Sequence, residues 1–248
     1  NKKSQDILVE VGAFSFNLST PATNSNTIIT SGGSVFVSAN NSNGPANYVL
    51  KANGTTIHNS NAVTTYSYTA TNVTTNTVFT LEVTQGAVTL SKSFNVFVRP
   101  AVIPTAALPA GLEIGINYNS GDTTKATLVL EAPGKDFIYV AGSFNNWLPT
   151  TTHLMNKNTT GTKFWLELTG LTPGQIYTYQ YWVADQTPTT NSPNIVKTAD
   201  PCSTLVLSPY DDSGIPAASY PAMPAYPVGQ EREVTVLQTG QTPYNWQV

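Results

Sequence analysis

The stretch KFWLELTGLTPGQIYTYQYWV, Lys163 to Val183, decides the fold class. In its first half Phe164, Leu166 and Leu168 alternate with Lys163, Trp165 and Glu167, the period of two expected of a strand with one buried face. After the loop TGLTPGQ, Tyr177, Tyr179, Tyr181 and Val183 alternate in the same way with Thr178, Gln180 and Trp182. Pro173 presets φ and Gly174 supplies the positive φ of a type II turn, so the stretch is expected to be a hairpin. That pairing puts Trp165, Gln180 and Trp182 together on one outer face. Burying an aromatic side chain is worth roughly 1.5–3 kcal/mol, so two neighbouring tryptophans are expected to be covered, by another body or by the chain's own proline-rich tail. The three residues are therefore read as a domain-docking face.

The same period recurs on either side. SVFVSA (Ser34 to Ala39), YVLKANG (Tyr48 to Gly54), TYSYTA (Thr65 to Ala70), VFTLEVTQG (Val78 to Gly86) and SFNVFV (Ser93 to Val98) follow one another at intervals of ten to fifteen residues, parted by Asn, Gly, Ser and Thr. In VFTLEV, Phe79, Leu81 and Val83 form the apolar side and Val78, Thr80 and Glu82 the wet one. The run FVRPAVIPTAALPAG, Phe97 to Gly111, has three prolines and no alternation, and reads as a linker. LEIGINY, KATLVLEAP and DFIYVAG then resume the strand pattern from Leu112 to Gly142. The fold class is all-β, with two β-sandwiches in tandem over residues 1–103 and 104–200. Residues 201–248, dense in proline from Pro201 to Pro227 and strand-like again at REVTVLQ, are expected to be an extended linker that wraps over a surface and returns along the second sandwich.

Composition narrows the function. Only 10% of the 248 residues are charged and the net charge is −3, so no basic stripe is present to meet nucleic acid or an anionic membrane surface. No apolar run approaches the roughly 20 residues that span a bilayer, and no membrane insertion is expected. The start, NKKSQDILVEVG, lacks the apolar core of a signal peptide, and the end, YNWQV, reads as a cut at a domain border. Cys202 is the single cysteine, which leaves no intrachain disulfide and no thiolate metal cluster.

Catalytic chemistry finds no support in the motifs. Asp211 and Asp212 sit in a turn-like PYDDSG segment, Glu231 and Glu233 flank Arg232 on an expected exposed strand, and neither context supplies the burial that perturbs a catalytic carboxylate. His58 and His153 have no second ligand at metal spacing. No Gly-x-Ser-x-Gly elbow or phosphate-binding glycine loop is present. No catalytic residue, metal or cofactor is expected. Asn17, Asn53, Asn72 and Asn158 open Asn-x-Ser/Thr triplets, as a chain this rich in Asn and Thr does by chance.

The aromatics remain. YVAGSFNNWLP, Tyr139 to Pro149, places Asn145, Asn146 and Trp147 at the end of an apolar strand. An indole face can stack on a sugar ring while neighbouring amides bond its hydroxyls. The same residues also suit a turn in which the asparagines adopt αL and Trp147 packs onto its own domain. The residues leave both readings open.

IYVAGSFNNW, KFWLELTGLTPGQIYTYQYWV and DPCSTLVLSP resemble the early-set sandwich of carbohydrate-binding module family forty-eight. Together with YPAMPAYP and VTVLQTGQTPYNW, they are similar to the N-terminal region of glycoside hydrolase family thirteen α-amylases of Bacteroidetes type. The likeness covers Leu112 to Val248, while residues 1–103 resemble a generic Ig-like domain. It implies an α-glucan (starch, glycogen or maltooligosaccharide) as ligand at Trp147, with Asn145 and Asn146 shaping the loop. A catalytic barrel of the same polypeptide is implied as partner, and an extracellular, cell-surface or periplasmic bacterial location. A second platform tryptophan follows YQYWV in those relatives, where this chain reads ADQTPTT. Two other expectations stand beside this one: a structural spacer or adhesin-type Ig-like array, and a surface starch-binding protein without catalytic activity.

Overall fold

The computed structural model describes residues 14–185 and 194–241. The segments NKKSQDILVEVG and YNWQV, and ADQTPTT beyond Asp185, lie outside the described residues. Strands dominate throughout, and the chain divides into two compact units. The first comprises the residues up to Ser25, Gly32–Val73 and Thr77–Val96. The second comprises Asn26–Ser31, Thr74–Asn76 and everything from Phe97 onward.

The first eight strands are β1 (Asn17–Thr20), β2 (Asn26–Ile29), β3 (Gly33–Asn40), β4 (Ala46–Ala52), β5 (Thr55–Val63), β6 (Thr65–Val73), β7 (Thr77–Gln85) and β8 (Val88–Val98). In the first unit they form a three-stranded sheet in the order β1-β3-β6 and a second sheet in the order β8-β7-β4-β5. In β7 the alternation expected of VFTLEV holds, with Phe79, Leu81 and Val83 buried and their neighbours half-buried. Tyr48 stacks on Tyr66 at 5.3 Å and Phe79 on Phe94 at 5.2 Å inside this core. β5 carries no apolar alternation because it is an edge strand and largely exposed, where polar side chains protect against further pairing.

The second unit contains β9 (Gly115–Tyr118), β10 (Ala126–Glu131), β11 (Phe137–Gly142), β12 (Asn156–Lys157), β13 (Lys163–Leu168), β14 (Tyr177–Ala184), β15 (Ile195–Thr198), β16 (Val206–Leu207) and β17 (Val234–Leu237). One sheet runs β12-β13-β10-β9, and the other β11-β14-β17-β16 with β15 also on β14. Their inner faces share one core in which Leu128, Leu130, Ile138, Val140, Phe164 and Leu166 meet Tyr179 and Tyr181.

Two expectations are corrected here. β13 and β14 do not form a hairpin: β13 pairs with β10 and β12, and β14 with β11, β15 and β17. The connection crosses between the two sheets. Leu171 plugs the core on the way, 4% exposed, with its N–H donating to the Thr124 carbonyl at 2.9 Å. The turn chemistry is as read, since Gly174 has φ +80° and the Gln175 N–H closes on Thr172 O at 3.1 Å. Phe164, Leu166, Leu168, Tyr177, Tyr179 and Tyr181 are still buried as predicted, with Val183 half-buried against the same core, because facing sheets of a sandwich share one interior. Their outward faces consequently point in opposite directions.

The segment from residue 201 returns along the second sandwich as expected, but as paired strands rather than as a linker alone. Val234–Leu237 pairs with β14 in register Tyr177↔Leu237 to Tyr179↔Thr235, and Val206–Leu207 pairs with it in turn. All four residues of β17 are buried. The second sandwich is therefore completed by residues that follow the proline-dense stretch.

Candidate carbohydrate-binding loop and the covered face

The loop after β11 begins at Gly142, and only glycine fits there. A Cβ would lie 2.6 Å from the Thr178 carbonyl and 2.7 Å from the Phe144 ring. Ser143–Asn145 forms a single 3-10 turn. The Asn145 side chain ties this turn down, its Oδ1 accepting from the Gly142 N–H and its Nδ2 donating to Val140 O, both at 2.9 Å. Asn145 thus shapes the loop from within and presents no amide outward.

Asn146 and Trp147 both take left-handed backbone, φ +51° and +59°. Asparagine tolerates this well; for a bulky residue it costs about 1–2 kcal/mol. The conformation persists because the Trp147 N–H donates to Gly142 O at 3.0 Å and the Leu148 N–H to Asn145 O at 3.1 Å. Asn146 is exposed. Trp147 is half-buried and packs against two clusters, one around Phe137, Tyr139 and Trp182, the other around Leu207, Val234 and Val236. The loop residues are thus brought together, with the indole leaning on its own domain.

The expected docking face is dispersed. Trp165 stands on β13 in one sheet, Gln180 and Trp182 on β14 in the other, so they do not share a surface. Gln180 is fully buried and its amide is saturated. Nε2 donates to the carbonyls of Glu231 at 2.7 Å and Glu233 at 2.8 Å, and Oε1 accepts from the Trp182 indole N–H at 3.3 Å. Trp182 is 3% exposed, with Phe97 edge-on at 5.0 Å and the Lys197 ammonium 4.9 Å from its ring. On the β14 side the cover comes from the chain itself, including the Glu231–Glu233 segment of the tail. Trp165 remains half-buried, its indole N–H bonded to Ala106 O at 3.3 Å.

Two features escaped the sequence reading. Asp200, 1% exposed, accepts from the hydroxyls of Tyr179 and Tyr181 through one oxygen, both at 2.9 Å, and from the Cys202 N–H through the other at 2.8 Å. Its own N–H donates to Thr235 Oγ1 at 2.6 Å. Burial, and then the Asp200 carboxylate, push both tyrosines well above their ordinary pKa; the Tyr181 phenol adds to the rise at Tyr179, while the Tyr179 hydroxyl partly offsets it at Tyr181. The signal was there in part, because two inward tyrosines need an acceptor for their hydroxyls. The second is the setting of His153, half-buried: its Nδ1 accepts from the Thr150 N–H at 3.3 Å, its ring stacks on Phe144 at 6.1 Å, and burial lowers its pKa. Among the described residues, no three His, Cys, Asp or Glu side chains gather where they could hold a metal ion. No helix of the described residues is long and apolar enough to cross a membrane.

No family model matches the chain, and neither does any curated protein. Solved structures similar to it are β-sandwich modules of Ig and fibronectin III type. The fibronectin(III)-like modules of Clostridium thermocellum CbhA match at 13% identity over 74% of this chain and 92% of that one, with TM-score 0.30. Titin domains I67–I69 match at 12% over 68% and 59%, TM-score 0.31. A biofilm-associated protein BSP domain matches at 16% over 73% and 30%, TM-score 0.26. The tandem sandwich assignment rests on the strand pairing described above.

Proposed function

We propose that the second sandwich is a non-catalytic module of a secreted or surface-attached starch-degrading glycoside hydrolase, binding α-glucan weakly at the Asn146–Trp147 loop and supporting a catalytic barrel of the same polypeptide. The observation that carries the reading is the strained backbone of Trp147, φ +59°, next to an exposed Asn146 amide. Backbone strain at a bulky residue clusters at ligand sites, where it aims a side chain that relaxed geometry would turn away. The likeness of the GSFNNW segment to glycogen-binding modules supports the choice of an α-glucan. The half-buried packing of Trp147 accords with weak binding, because only part of the indole is left for a sugar ring.

Electrophoresis of the whole chain through gels with and without soluble starch or glycogen tests it. Retardation is expected for the unmutated chain, and Asn146→Gly, which removes the amide but keeps the left-handed backbone, should weaken it. Identical mobility of the unmutated chain in all gels overturns the glucan reading.

A structural spacer of adhesin-type Ig-like modules is the second reading. It is favoured by the same packing of Trp147, which fastens the loop to two apolar clusters. The coding sequence beyond Val248 separates the two, since a barrel follows in the first case and further sandwich modules in the second.

A further inference from the structure

The outer face of β13-β10-β9 carries a groove that the Trp147 loop does not use. Two cross-strand rows define this face, Asn117–Thr127–Glu167 and Gly115–Val129–Trp165. The chain from Ala106 to Leu112 lies alongside it, held by the Ala106 N–H on Lys157 O at 3.0 Å and by the Trp165 indole on Ala106 O. Pro109 and Leu112 with Trp165 line a cleft of about 440 Å³. A second cleft of about 240 Å³ is lined by Phe144, His153, Leu171 and Tyr177. Glu167 lines both clefts.

The lining is amphipathic and close to neutral. Trp165 lines the larger cleft and the stacked Phe144–His153 pair the smaller. The exposed Glu167 carboxylate between them is matched by the Lys125 ammonium at 3.4 Å. Thr127 and Thr152 add hydroxyls. The Trp165 indole is fixed in advance by its bond to Ala106, so little side-chain freedom is lost on stacking. An extended peptide would seek the backbone donors of a strand edge, whereas this floor is a sheet face whose backbone groups are already paired. Aromatic faces separated by a neutralised hydrogen-bonding centre instead match a chain of uncharged rings with apolar faces and hydroxyl edges.

We propose that this groove binds a linear neutral polysaccharide, with Trp165 and the Phe144–His153 pair as separate stacking points and Glu167 accepting hydroxyl hydrogen bonds between them. The inference does not rest on the starch reading. Trp147 packs toward the outer side of the opposite sheet, and the ligand class follows from the groove's lining.

The test is affinity electrophoresis of the whole chain through soluble starch, glucomannan, xyloglucan and mixed-linkage β-glucan. Thr127→Trp fills the first cleft without removing a packed side chain, and Glu167→Ala deletes an exposed carboxylate. At least one polysaccharide should retard the unmutated chain. Thr127→Trp should abolish that retardation, and Glu167→Ala should weaken it about tenfold, the loss expected for a hydrogen bond to a charged group. If Thr127→Trp also lowers the melting temperature, Glu167→Ala decides. Full retardation in Glu167→Ala, or in a normally folded Thr127→Trp, overturns the groove; if Asn146→Gly then abolishes it, the Trp147 reading stands. Binding confined to polysaccharides other than starch, lost in Thr127→Trp and Glu167→Ala, supports the groove and overturns the starch reading. No retardation by any of the four overturns both.

Discussion

Trp165 and Trp182 occupy equivalent outward positions on neighbouring strands in sequence, yet they meet different fates. Trp182 lies beneath Phe97, Lys197 and the Glu231–Glu233 backbone that Gln180 holds, and is 3% exposed. Trp165 borders an open cleft and is half-buried. One outer face of the second sandwich is roofed by its own chain, while the other retains a groove. Period-two alternation says which side of a strand a residue takes. It does not say what, if anything, covers that side.

The largest expected effect breaks the covered side from within. Asp200→Ala leaves the Tyr179 and Tyr181 hydroxyls and the Cys202 N–H without their acceptor. At 1–3 kcal/mol for each of the two buried hydroxyls, it should cost roughly 2–6 kcal/mol in urea unfolding of the second unit. Trp182→Ala should cost about 3–5 kcal/mol by the same measurement, the range for a fully buried aromatic.

Alkali tests the same cluster without mutation. Tyr179 and Tyr181 have folded pKa values raised above 10.0, chiefly by burial, so above that pH the unfolded chain releases protons that the folded chain keeps. Their stabilising contribution is therefore present below pH 10 and lost as pH rises toward the folded values, by about 1.4 kcal/mol per tyrosine for each pH unit. Denaturant midpoints measured across this range should fall, and Tyr181→Phe should reduce the slope. A flat profile would mean that the hydroxyls reach water.

Trp147→Ala should lower stability by about 1–2 kcal/mol, since half of an aromatic's burial is lost. An unchanged melting temperature would place its ring outside the two clusters. The smallest effect belongs to the open face: Glu167→Ala should change stability by no more than about 0.5 kcal/mol, because its ion pair with Lys125 is exposed. A loss as large as that of Trp182→Ala would show the two faces to be equivalent after all.

Much of the molecule was legible from local pattern. Phe164, Leu166 and Leu168, and Tyr177, Tyr179 and Tyr181, lie in the core as the alternation required. Pro173-Gly174 turns the chain with the expected positive φ. The polar edge strand β5 was missed because an edge needs no apolar face. The Asn145–Trp147 loop was located, but the inward use of the Asn145 amide depends on Val140 and Gly142 backbone positions that sequence does not fix.

The amino-acid sequence by itself determined the strands with an apolar face, the inward side of each and the all-β class, since these follow from side-chain period and turn chemistry acting over a few residues. Only the tertiary structure decided that β13 and β14 belong to opposite sheets, that Val234–Leu237 returns across the proline-dense stretch to pair with β14, and that Asp200 joins Tyr179 and Tyr181. Those pairings bring together residues tens of positions apart, and local propensity carries no information about which distant strand a given edge will meet. They form because a β14 edge left unpaired, and tyrosine hydroxyls buried without an acceptor, would each cost more than the ordering of the segment that satisfies them.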